Sequence, residues 1–490
     1  MMKSSNFPMS RRLLAEIWTG LGGDARDVDS VSVTGNPALP SAFAVTDLAT
    51  ASFGAAGLAL RRLLATVAPE AAAISVDRVL ASGWFHLPIG PSIPIDGARP
   101  GPVPGAMPWM TEFQTSDDRW LRVQAVFPRL RRKLVETLGV AEDPAAVGAA
   151  IRRRPGEELE RELVEAGAAV ALSRSLPDWR AHPQGAAVAA EPLVDVQPTV
   201  SGADTWRPTP GRPLAGIRVL DLTRVIAGPM ATRFLAACGA EVLRLDAPGS
   251  DESGIAMGAG SDIVLGKRWA YLDIRTPEGR TRLLELLAGT DVLVHGYRPG
   301  AIDALVAPEL RAATRPGLVE VAFNAYGWTG PWRDRRGFDS LVQYSTGLAD
   351  ETTRWALEDP DRRVPIVALG REVPADRPRH LPVEAVDFST GYQVAAAAIM
   401  ALARRVETGA GSVSRLSLAR TARLLSDAGR APESPVLRLP VTGPLEQRTY
   451  AAPHGPVRRL SFPLTVAGND LFWERPYEAV GSSNPVWSSA

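Results

Sequence analysis

The sequence contains a single cysteine and only three lysines among its 490 residues. One cysteine, Cys238, excludes an intrachain disulfide and a zinc site built from several cysteines. Arginine is therefore almost the only cation, yet 54 basic residues balance 54 acidic ones and the formal net charge is zero. Bulk electrostatics favours neither nucleic acid nor an anionic membrane as a partner.

Long hydrophobic runs are also missing from the chain. The longest, Val394 to Ala403, has about half the length of a membrane span and is followed by Arg404 and Arg405. The N-terminal residues lack the apolar core of a signal peptide. We therefore expect a cytoplasmic protein without a membrane partner.

What is present is the composition of an ordinary globular protein. Apolar residues make up 45% of the chain and charged residues 22%. A chain of 490 residues is longer than a single hydrophobic core usually supports, so it predicts two or three domains.

The most informative stretch runs from Pro213 to Asp251. An apolar run over residues 217–222 leads into a turn with Gly228, then a helical segment ending at Gly239, then an apolar run ending at Asp246. This succession predicts a βαβ unit. In such a unit the turn after the first strand faces the ligand, because the helix N-terminus offers free N–H groups and positive potential.

The same alternation continues beyond this unit. Apolar runs over residues 270–274, 291–295 and 318–324 predict three more strands, with a helix starting at Pro277 between the first two. Strands that alternate with helices predict an α/β fold with a doubly wound, Rossmann-like parallel sheet.

Three stretches resemble the class III coenzyme A transferases, the formyl-CoA and carnitine-CoA transferase family that also includes the α-methylacyl-CoA racemases. They are PLAGIRVLDLTRVIAGPMATRFLAACGAEVLRLDAPG from Pro213, GKRWAYLDIRTPEGRTRLLELLAGTDVLVHGYRPGAIDAL from Gly266 and VEVAFNAYGWTGPWRDRRGFDSLVQYSTGL from Val319. The resemblance implies transfer of CoA from an acyl-CoA to a carboxylic acid. CoA is then a substrate, and neither a tightly bound cofactor nor a metal is expected. Family members form interlocked dimers, which implies a homodimer.

The family's nucleophile is an aspartate that starts a helix in a context like G-D-x-x-T-G. The matching residues here are Val386 to Gly391, VDFSTG, so Asp387 takes the position of the nucleophile and valine replaces the preceding glycine. A carboxylate can attack a thioester carbonyl, and a helix N-terminus would keep it ionised and offer N–H groups to the oxyanion. The alternative is structural, since aspartate is also among the best helix N-caps.

Positions matching the family's CoA contacts are spread over four stretches. They are the turn residues Val225, Ile226 and Ala227, then Leu272 and Arg275, the loop residues Gly296, Tyr297 and Arg298, and finally Asn324 and Tyr326. Two basic positions of the family are alanine here, Ala247 and Ala304, and Arg244 and Arg298 are candidates to replace them.

The domain order departs from that of the family. Residues 1–40 are expected to be an N-terminal arm, and 41–200 a partial family repeat with a smaller α+β domain. A linker over residues 195–212 then leads to a CoA-binding domain (207–350), and residues 383–490 hold the aspartate helix and a C-terminal segment. The partial repeat rests on Asp47, which starts a small-residue helix similar to that of Asp387; without a preceding βαβ unit, Asp47 is expected to be structural.

Three other functions are alternatives to CoA transfer. A catalytically silent protein that binds CoA esters, or a structural subunit, is suggested by Val386, Ala247 and the partial repeat. A racemase is disfavoured because Phe338 stands where that branch has a histidine, and phenylalanine cannot move protons. A nicotinamide-dependent oxidoreductase is suggested by Asp246, but the turn lacks the G-x-G-x-x-G sequence.

Overall fold

The computed structural model describes residues 7–68, 72–86, 92–94, 107–202, 205–249, 261–359, 362, 377–439, 441–451 and 455–488. Within these ranges the α-helices are α1 (Pro8–Gly20), α2 (Val45–Leu64), α3 (Arg78–Trp84), α4 (Pro128–Leu138), α5 (Pro144–Ile151), α6 (Gly156–Glu165), α7 (Leu176–Ala181), α8 (Pro183–Ala190), α9 (Ala227–Ala237), α10 (Pro277–Ala288), α11 (Pro308–Thr314), α12 (Asp339–Ser345), α13 (Leu348–Leu357), α14 (Ala385–Thr408) and α15 (Leu418–Ala428). The strands are β1 (Val31–Thr34), β2 (Ile74–Asp77), β3 (Ser92–Pro94), β4 (Met110–Gln114), β5 (Trp120–Gln124), β6 (Val170–Leu172), β7 (Asp195–Ser201), β8 (Arg218–Leu222), β9 (Glu241–Asp246), β10 (Lys267–Tyr271), β11 (Val292–His295), β12 (Val319–Asn324), β13 (Ala410–Ser417), β14 (Val457–Arg459) and β15 (Leu464–Val466).

The largest sheet has seven strands in the order β10-β9-β8-β11-β12-β13-β7. The first six are parallel to their neighbours, and β7 runs antiparallel to β13 at one edge. Numbered by chain position, the six parallel strands follow the order 3-2-1-4-5-6, which is that of a dinucleotide-binding fold, with its switch point between β8 and β11. The predicted α/β fold with a parallel sheet is confirmed.

Helices cover both faces of this sheet, because successive strand residues point to opposite sides. Val219 of β8 belongs to the large apolar core that contains α9, α14 and α2. Its neighbour Leu220 belongs to a second core with Leu283 and Leu286 of α10. The near-continuous apolar runs of β8 to β12 follow from burial on both faces.

The sheet extends beyond the range predicted for the CoA-binding domain. Strand β13 comes after the long helix α14, and β7 lies in the segment predicted to be a linker. The linker prediction is wrong for Asp195–Ser201. Pro198 makes this segment look unlike a strand, but a proline without an N–H is tolerated at the edge of a sheet, where β7 lies.

Helix α14 lies at the centre of the core. It packs against α2, α9 and α15 and against strands β12 and β13. Among the described helices it alone is long and apolar enough to cross a membrane, and it is wholly buried within the protein. Helix α1 packs along α2, so the part of the predicted N-terminal arm that the structure describes contributes Leu13 and Ile17 to this core.

Strands β4, β5 and β6 form a separate antiparallel sheet. Strands β4 and β5 form a hairpin, with Asp118 at φ 56° in its turn. Helices α4, α5 and α6 share a small apolar core with these strands through residues such as Leu121, Leu134 and Leu159. The ring of Phe127, at the start of α4, stacks on Phe338 with 6.0 Å between ring centres, which joins this unit to the region before α12.

A buried ion pair holds the turn between β8 and α9. The Lys267 Nζ atom donates to Asp221 Oδ2 (2.9 Å) and to the carbonyl of Pro229 (2.8 Å), and both charged side chains are fully buried. Thr223 and Thr232 donate to the same carboxylate. Burial opposes the ionisation of Asp221, but Lys267 and these hydrogen bonds outweigh it, so the pKa of the carboxyl is lowered.

Replacing Lys267 with methionine should leave the carboxylate of Asp221 charged and without its cation partner in the core. We expect the Lys267→Met variant to lose about 3–5 kcal/mol of unfolding free energy, because a buried charge without its partner is costly. Guanidinium chloride unfolding of the wild type and the variant measures this loss. The double variant Asp221→Asn/Lys267→Met should recover part of it; a double variant less stable than Lys267→Met would contradict the ion-pair explanation.

Candidate active site

A cavity of about 700 Å³ opens at the carboxyl ends of the parallel strands. Each of the six strands is followed by residues that line it. They are Arg224 to Ala227 after β8, Ala247 to Gly249 after β9, Leu272 to Arg275 after β10, Gly296 to Arg298 after β11, Asn324 at the end of β12 with Ala325 after it, and Leu418 after β13. Ligands of open parallel sheets bind in this crevice, next to the point where the strand order reverses.

The turn after β8 is tight and strained. Val225 has a φ of 70°, a left-handed conformation that a β-branched residue adopts at a cost of about 1–3 kcal/mol. Gly228 is required beside it, because a Cβ atom there would lie 2.2 Å from the Cβ of Thr223. The Asp221–Lys267 pair and close packing therefore hold Val225 against the cavity, at the start of α9.

Helix α14 approaches this turn closely. A Cβ atom on Gly391 would lie 2.4 Å from the carbonyl oxygen of Ala227, so only glycine permits the contact. The N-terminus of α14 is thereby brought to the cavity, where Asp387, the third residue of the helix, forms part of the wall. Asp387 is only 5% exposed.

The carboxyl group of Asp387 has no hydrogen-bond or ion-pair partner among the described residues. Burial raises its pKa well above the usual range, and the negative charge of Asp339 adds to this effect. Burial and the charge of Asp339 thus oppose the ionisation that the helix N-terminus was expected to favour. The N–H of Asp387 donates instead to Asp339 Oδ2 (2.8 Å), so that group is already engaged.

Asp47 occupies the equivalent place on α2 and has the opposite environment. Its carboxylate accepts hydrogen bonds from Ser10 Oγ (2.5 Å) and Arg78 Nη2 (3.0 Å), and the Arg78 side chain is equally buried. A buried aspartate paired with arginine is a structural element. The two helices pack side by side, yet only Asp387 reaches the cavity without a cation beside it.

The cavity is strongly basic. Two aspartates, Asp273 and Asp387, line it together with six arginines: Arg129, Arg224, Arg275, Arg298, Arg335 and Arg336. Three of these arginines are paired with acidic side chains: Arg224 with Asp246 (3.4 Å), Arg275 with Asp273 (2.7 Å) and Arg335 with Glu160 (2.7 Å). The excess of guanidinium groups favours an anionic ligand, since arginine binds phosphate and carboxylate groups with two parallel hydrogen bonds.

The structure brings together ten of the twelve residues predicted for the site. The residues that line the cavity are Val225, Ile226, Ala227, Leu272, Arg275, Gly296, Tyr297, Arg298, Asn324 and Asp387. They come from the ends of four strands, or the turns after them, and from helix α14, and are separated by up to about 160 positions in the chain. The order of the parallel strands, rather than their sequence spacing, makes them neighbours.

Two predicted contacts lie elsewhere. Arg244 is 1% exposed, stacks on the ring of Trp269 and donates to Asp246 Oδ2 (2.9 Å). It therefore cannot take the place of the basic residue that the family has at the position of Ala247. Tyr326 is fully buried behind the cavity wall, with its hydroxyl 3.0 Å from Ser345 Oγ. Sequence spacing alone does not reveal which way a strand or loop side chain points.

Several cavity residues were missed. Arg129 and Leu130 come from α4, more than 200 positions before Asp387, and no local signal connects them with the site. Asp339, next to Phe338, is not a lining residue but accepts the N–H of Asp387 at 2.8 Å, and no local signal in the sequence connects the two residues. Phe338 itself lines the cavity, and no histidine is among the lining residues.

The described residues contain no group of three or more His, Cys, Asp or Glu side chains that could hold a metal ion. The arrangement instead combines a basic crevice, a strained turn and a buried carboxyl group. This is a suitable site for an anionic ligand that carries an electrophilic carbon.

Sequence comparisons with known proteins agree on one family. The sequence model of CoA-transferase family III matches residues 214–479, more than half of the chain. A probable fatty acyl-CoA transferase of Mycobacterium tuberculosis is 29% identical over 220 residues, which cover 43% of this chain and 51% of that protein. An acetyl-coenzyme A transferase of Hypoxylon pulicicidum is 31% identical over 207 residues, covering 41% of this chain and 31% of that protein.

Among solved structures, the crystal structure of a hypothetical protein from Mycobacterium tuberculosis aligns with a TM-score of 0.37 and 28% identity. The alignment covers 44% of this chain and 59% of that one. The chain spans about half or less of the length of the two transferases that it matches.

The two aspartates should respond oppositely to the same substitution. We expect Asp387→Asn to raise the unfolding free energy at pH 8 by about 1 kcal/mol, because a carboxyl group without a cation partner is removed. Asp47→Asn should lower it by about 3–5 kcal/mol, because Arg78 is left buried without its partner. Denaturant unfolding of both variants measures these changes.

The pH dependence of the first change has a defined sign. The folded-state pKa of Asp387 is raised above the unfolded value of about 4, so the wild type loses stability as the pH rises above about 4. The advantage of Asp387→Asn should therefore be larger at pH 8 than at pH 5. If the stability advantage of Asp387→Asn over the wild type shrinks as the pH rises, the raised pKa of Asp387 in the folded state is contradicted.

Proposed function

The chain belongs to CoA-transferase family III, and from this we propose that it moves CoA from an acyl-CoA donor to a carboxylic acid acceptor. We propose Asp387 as the covalent nucleophile. The observation that carries this proposal is a carboxyl group in the wall of a basic cavity, with no cation bound to it among the residues described. A structural aspartate would have a partner like that of Asp47.

Binding of CoA is supported by the cavity's position and charge. Its phosphate groups would meet arginines after three different strands, Arg224, Arg275 and Arg298. The thioester end would extend past the turn at Val225 toward Asp387. The N-terminus of α9 adds positive potential at this turn.

The chemistry would proceed by two exchanges at one carboxyl group. The carboxylate of Asp387 attacks the thioester carbon of the donor and CoA thiolate leaves, which gives a mixed anhydride. The thiolate then attacks the aspartyl carbonyl, the donor acid is released, and Asp387 becomes a CoA thioester. The acceptor carboxylate attacks this thioester to form a second anhydride, and the thiolate attacks the acceptor carbonyl, which restores Asp387.

The buried environment of Asp387 suits such an exchange. The reactive anhydride and thioester must be protected from hydrolysis, and a carboxyl group that is 5% exposed has little access to bulk water. The same burial disfavours the charged nucleophile, so we expect the reaction to become faster as rising pH removes the proton.

A catalytically silent CoA-ester-binding protein is the alternative. It is favoured by Val386 in place of the family's glycine and by Ala247 in the cavity wall, where a basic residue was expected. Phe338 in the cavity wall disfavours a racemase that would use this position for proton transfer.

We further propose that residues 41–200 are a partial repeat that supplies the smaller α+β domain and closes the cavity within one chain. Support comes from α2, which carries Asp47 as its third residue and packs beside α14, and from Arg129 and Leu130 of α4 in the cavity wall. A homodimer stays a prediction, and sedimentation equilibrium of the full chain tests it.

Incubation with acyl-CoA esters should modify Asp387. We expect a CoA or acyl adduct, removable by hydroxylamine, on the peptide that contains Asp387, and a higher rate of adduct formation at pH 8 than at pH 6 because the carboxylate is the attacking form. Intact-protein and peptide mass spectrometry over a panel of acyl-CoA esters measures both.

The controls for this experiment are two variants. Asp387→Asn should abolish the adduct and lower the transferase rate by at least ~10³-fold, as expected for loss of a nucleophile, while still binding CoA. Asp334→Asn, which removes an exposed aspartate, should leave both unchanged. CoA binding without an adduct from any ester would favour the silent alternative.

Removal of a cavity arginine should weaken CoA binding without affecting the protein's stability. We expect Arg298→Ala to raise the Kd for CoA by roughly tenfold, because one charge-assisted hydrogen bond to the ligand is lost. Calorimetric titration at low salt measures the Kd. Arg282→Ala, which removes a half-exposed arginine on α10, is the matched control and should bind CoA like the wild type.

A further inference from the structure

Asp339 contacts the helix turn that carries Asp387. It is the first residue of α12 and is 3% exposed. Its Oδ2 atom accepts the N–H of Asp387 at 2.8 Å. One of the free N–H groups at the start of α14 is therefore satisfied by a side chain from another helix.

Gln343 holds Asp339 in this position. Its Nε2 atom donates to Asp339 Oδ1, one turn earlier on α12, and its Oε1 atom accepts the N–H of Leu381 at 2.8 Å. Leu381 lies four residues before α14 begins. One side chain thus ties Asp339 to the segment that enters the helix of Asp387.

We propose that Asp339, held by Gln343, is a positioning residue for Asp387, which fixes the first turn of α14 and acts through its own charge on the carboxyl group of Asp387. This inference rests on the proposed function, because it assigns Asp339 a role in the reaction of Asp387. Asp339 does not attack the substrate. It decides where the carboxyl group of Asp387 lies and when that group is charged.

The charge effect follows from the surroundings of the two carboxyl groups. Burial, Asp339 and Glu384 all raise the pKa of Asp387, and burial raises that of Asp339. Two buried carboxyl groups near each other disfavour double ionisation. Buried charges on the other elements packed around α14 have neighbours of their own: Asp47 of α2 has Arg78, Arg233 of α9 has the rings of Trp84 and Trp473, and Glu320 of β12 has Arg311.

Two substitutions separate the charge of Asp339 from its hydrogen bonds. Asp339→Asn removes the charge and keeps an oxygen that can accept the N–H of Asp387. The rate of adduct formation rises with pH to a plateau. We expect this rising limb to lie at least one pH unit lower in Asp339→Asn than in the wild type, and the plateau rate to stay within about threefold of the wild-type rate. Asp339→Ala should also move the limb lower, and should reduce the plateau rate at least tenfold because the turn loses its acceptor.

The control is Thr421→Val, which removes a buried 2.8 Å hydrogen bond between α15 and Thr390 of α14 without touching Asp387. Its rising limb should coincide with that of the wild type. If Asp339→Asn also keeps the wild-type limb, the charge effect is overturned. If Asp339→Ala keeps the wild-type plateau, the positioning effect is overturned.

A second readout does not depend on transferase activity. Carbodiimides label protonated carboxyl groups, so the extent of labelling at Asp387, measured by peptide mass spectrometry across pH, follows its protonation. Asp339→Asn should move the midpoint of labelling at least one pH unit lower. If the wild type forms no adduct but Asp339→Asn shows this shift in midpoint, the proposed function alone is overturned. If the midpoint of Asp339→Asn equals that of the wild type, the role of Asp339 is overturned.

Discussion

The burial of one carboxyl group without a cation beside it is the constraint on which this structure depends. Asp387 sits in the first turn of α14, and its surroundings raise its pKa. Asp47, at the same place on the neighbouring helix, is neutralised by Arg78. Two similar helices therefore carry aspartate as their third residue, and only the aspartate of α2 is paired with an arginine. Helix α14 tolerates this because its remaining turns are buried among α2, α9, β12 and β13.

The parallel sheet places the other components around this group. Reversal of the strand order between β8 and β11 opens a crevice, and the loops after all six parallel strands reach it. The loop nearest Asp387 is held in a strained conformation at Val225 by the buried Asp221–Lys267 pair. Glycine at 391 then lets α14 contact that loop directly. Strain, burial and close backbone approach are all concentrated where the proposed reaction would occur.

The N-terminal part of the chain contributes to the cavity wall. Helix α4 contributes Arg129 and Leu130, and Phe127 stacks on Phe338. Asp339, directly after Phe338, binds the first turn of α14. The same short segment therefore contacts both the antiparallel β4–β6 sheet and the helix of Asp387. The contact with the β4–β6 unit and the contact with the proposed nucleophile are therefore made by two consecutive residues, Phe338 and Asp339.

The sequence by itself determined the parallel α/β fold, the turn at Val225 and the position of Asp387, because these follow from local apolar runs, glycines and a motif within six residues. It could not determine that Asp195–Ser201 forms an edge strand, because its pairing with β13 joins segments more than 200 residues apart. Nor could it determine that Arg244 points away from the cavity, that Arg129 points into it, or that Asp339 meets Asp387. Burial and charge depend on which distant side chains become neighbours, and only the tertiary structure decided that.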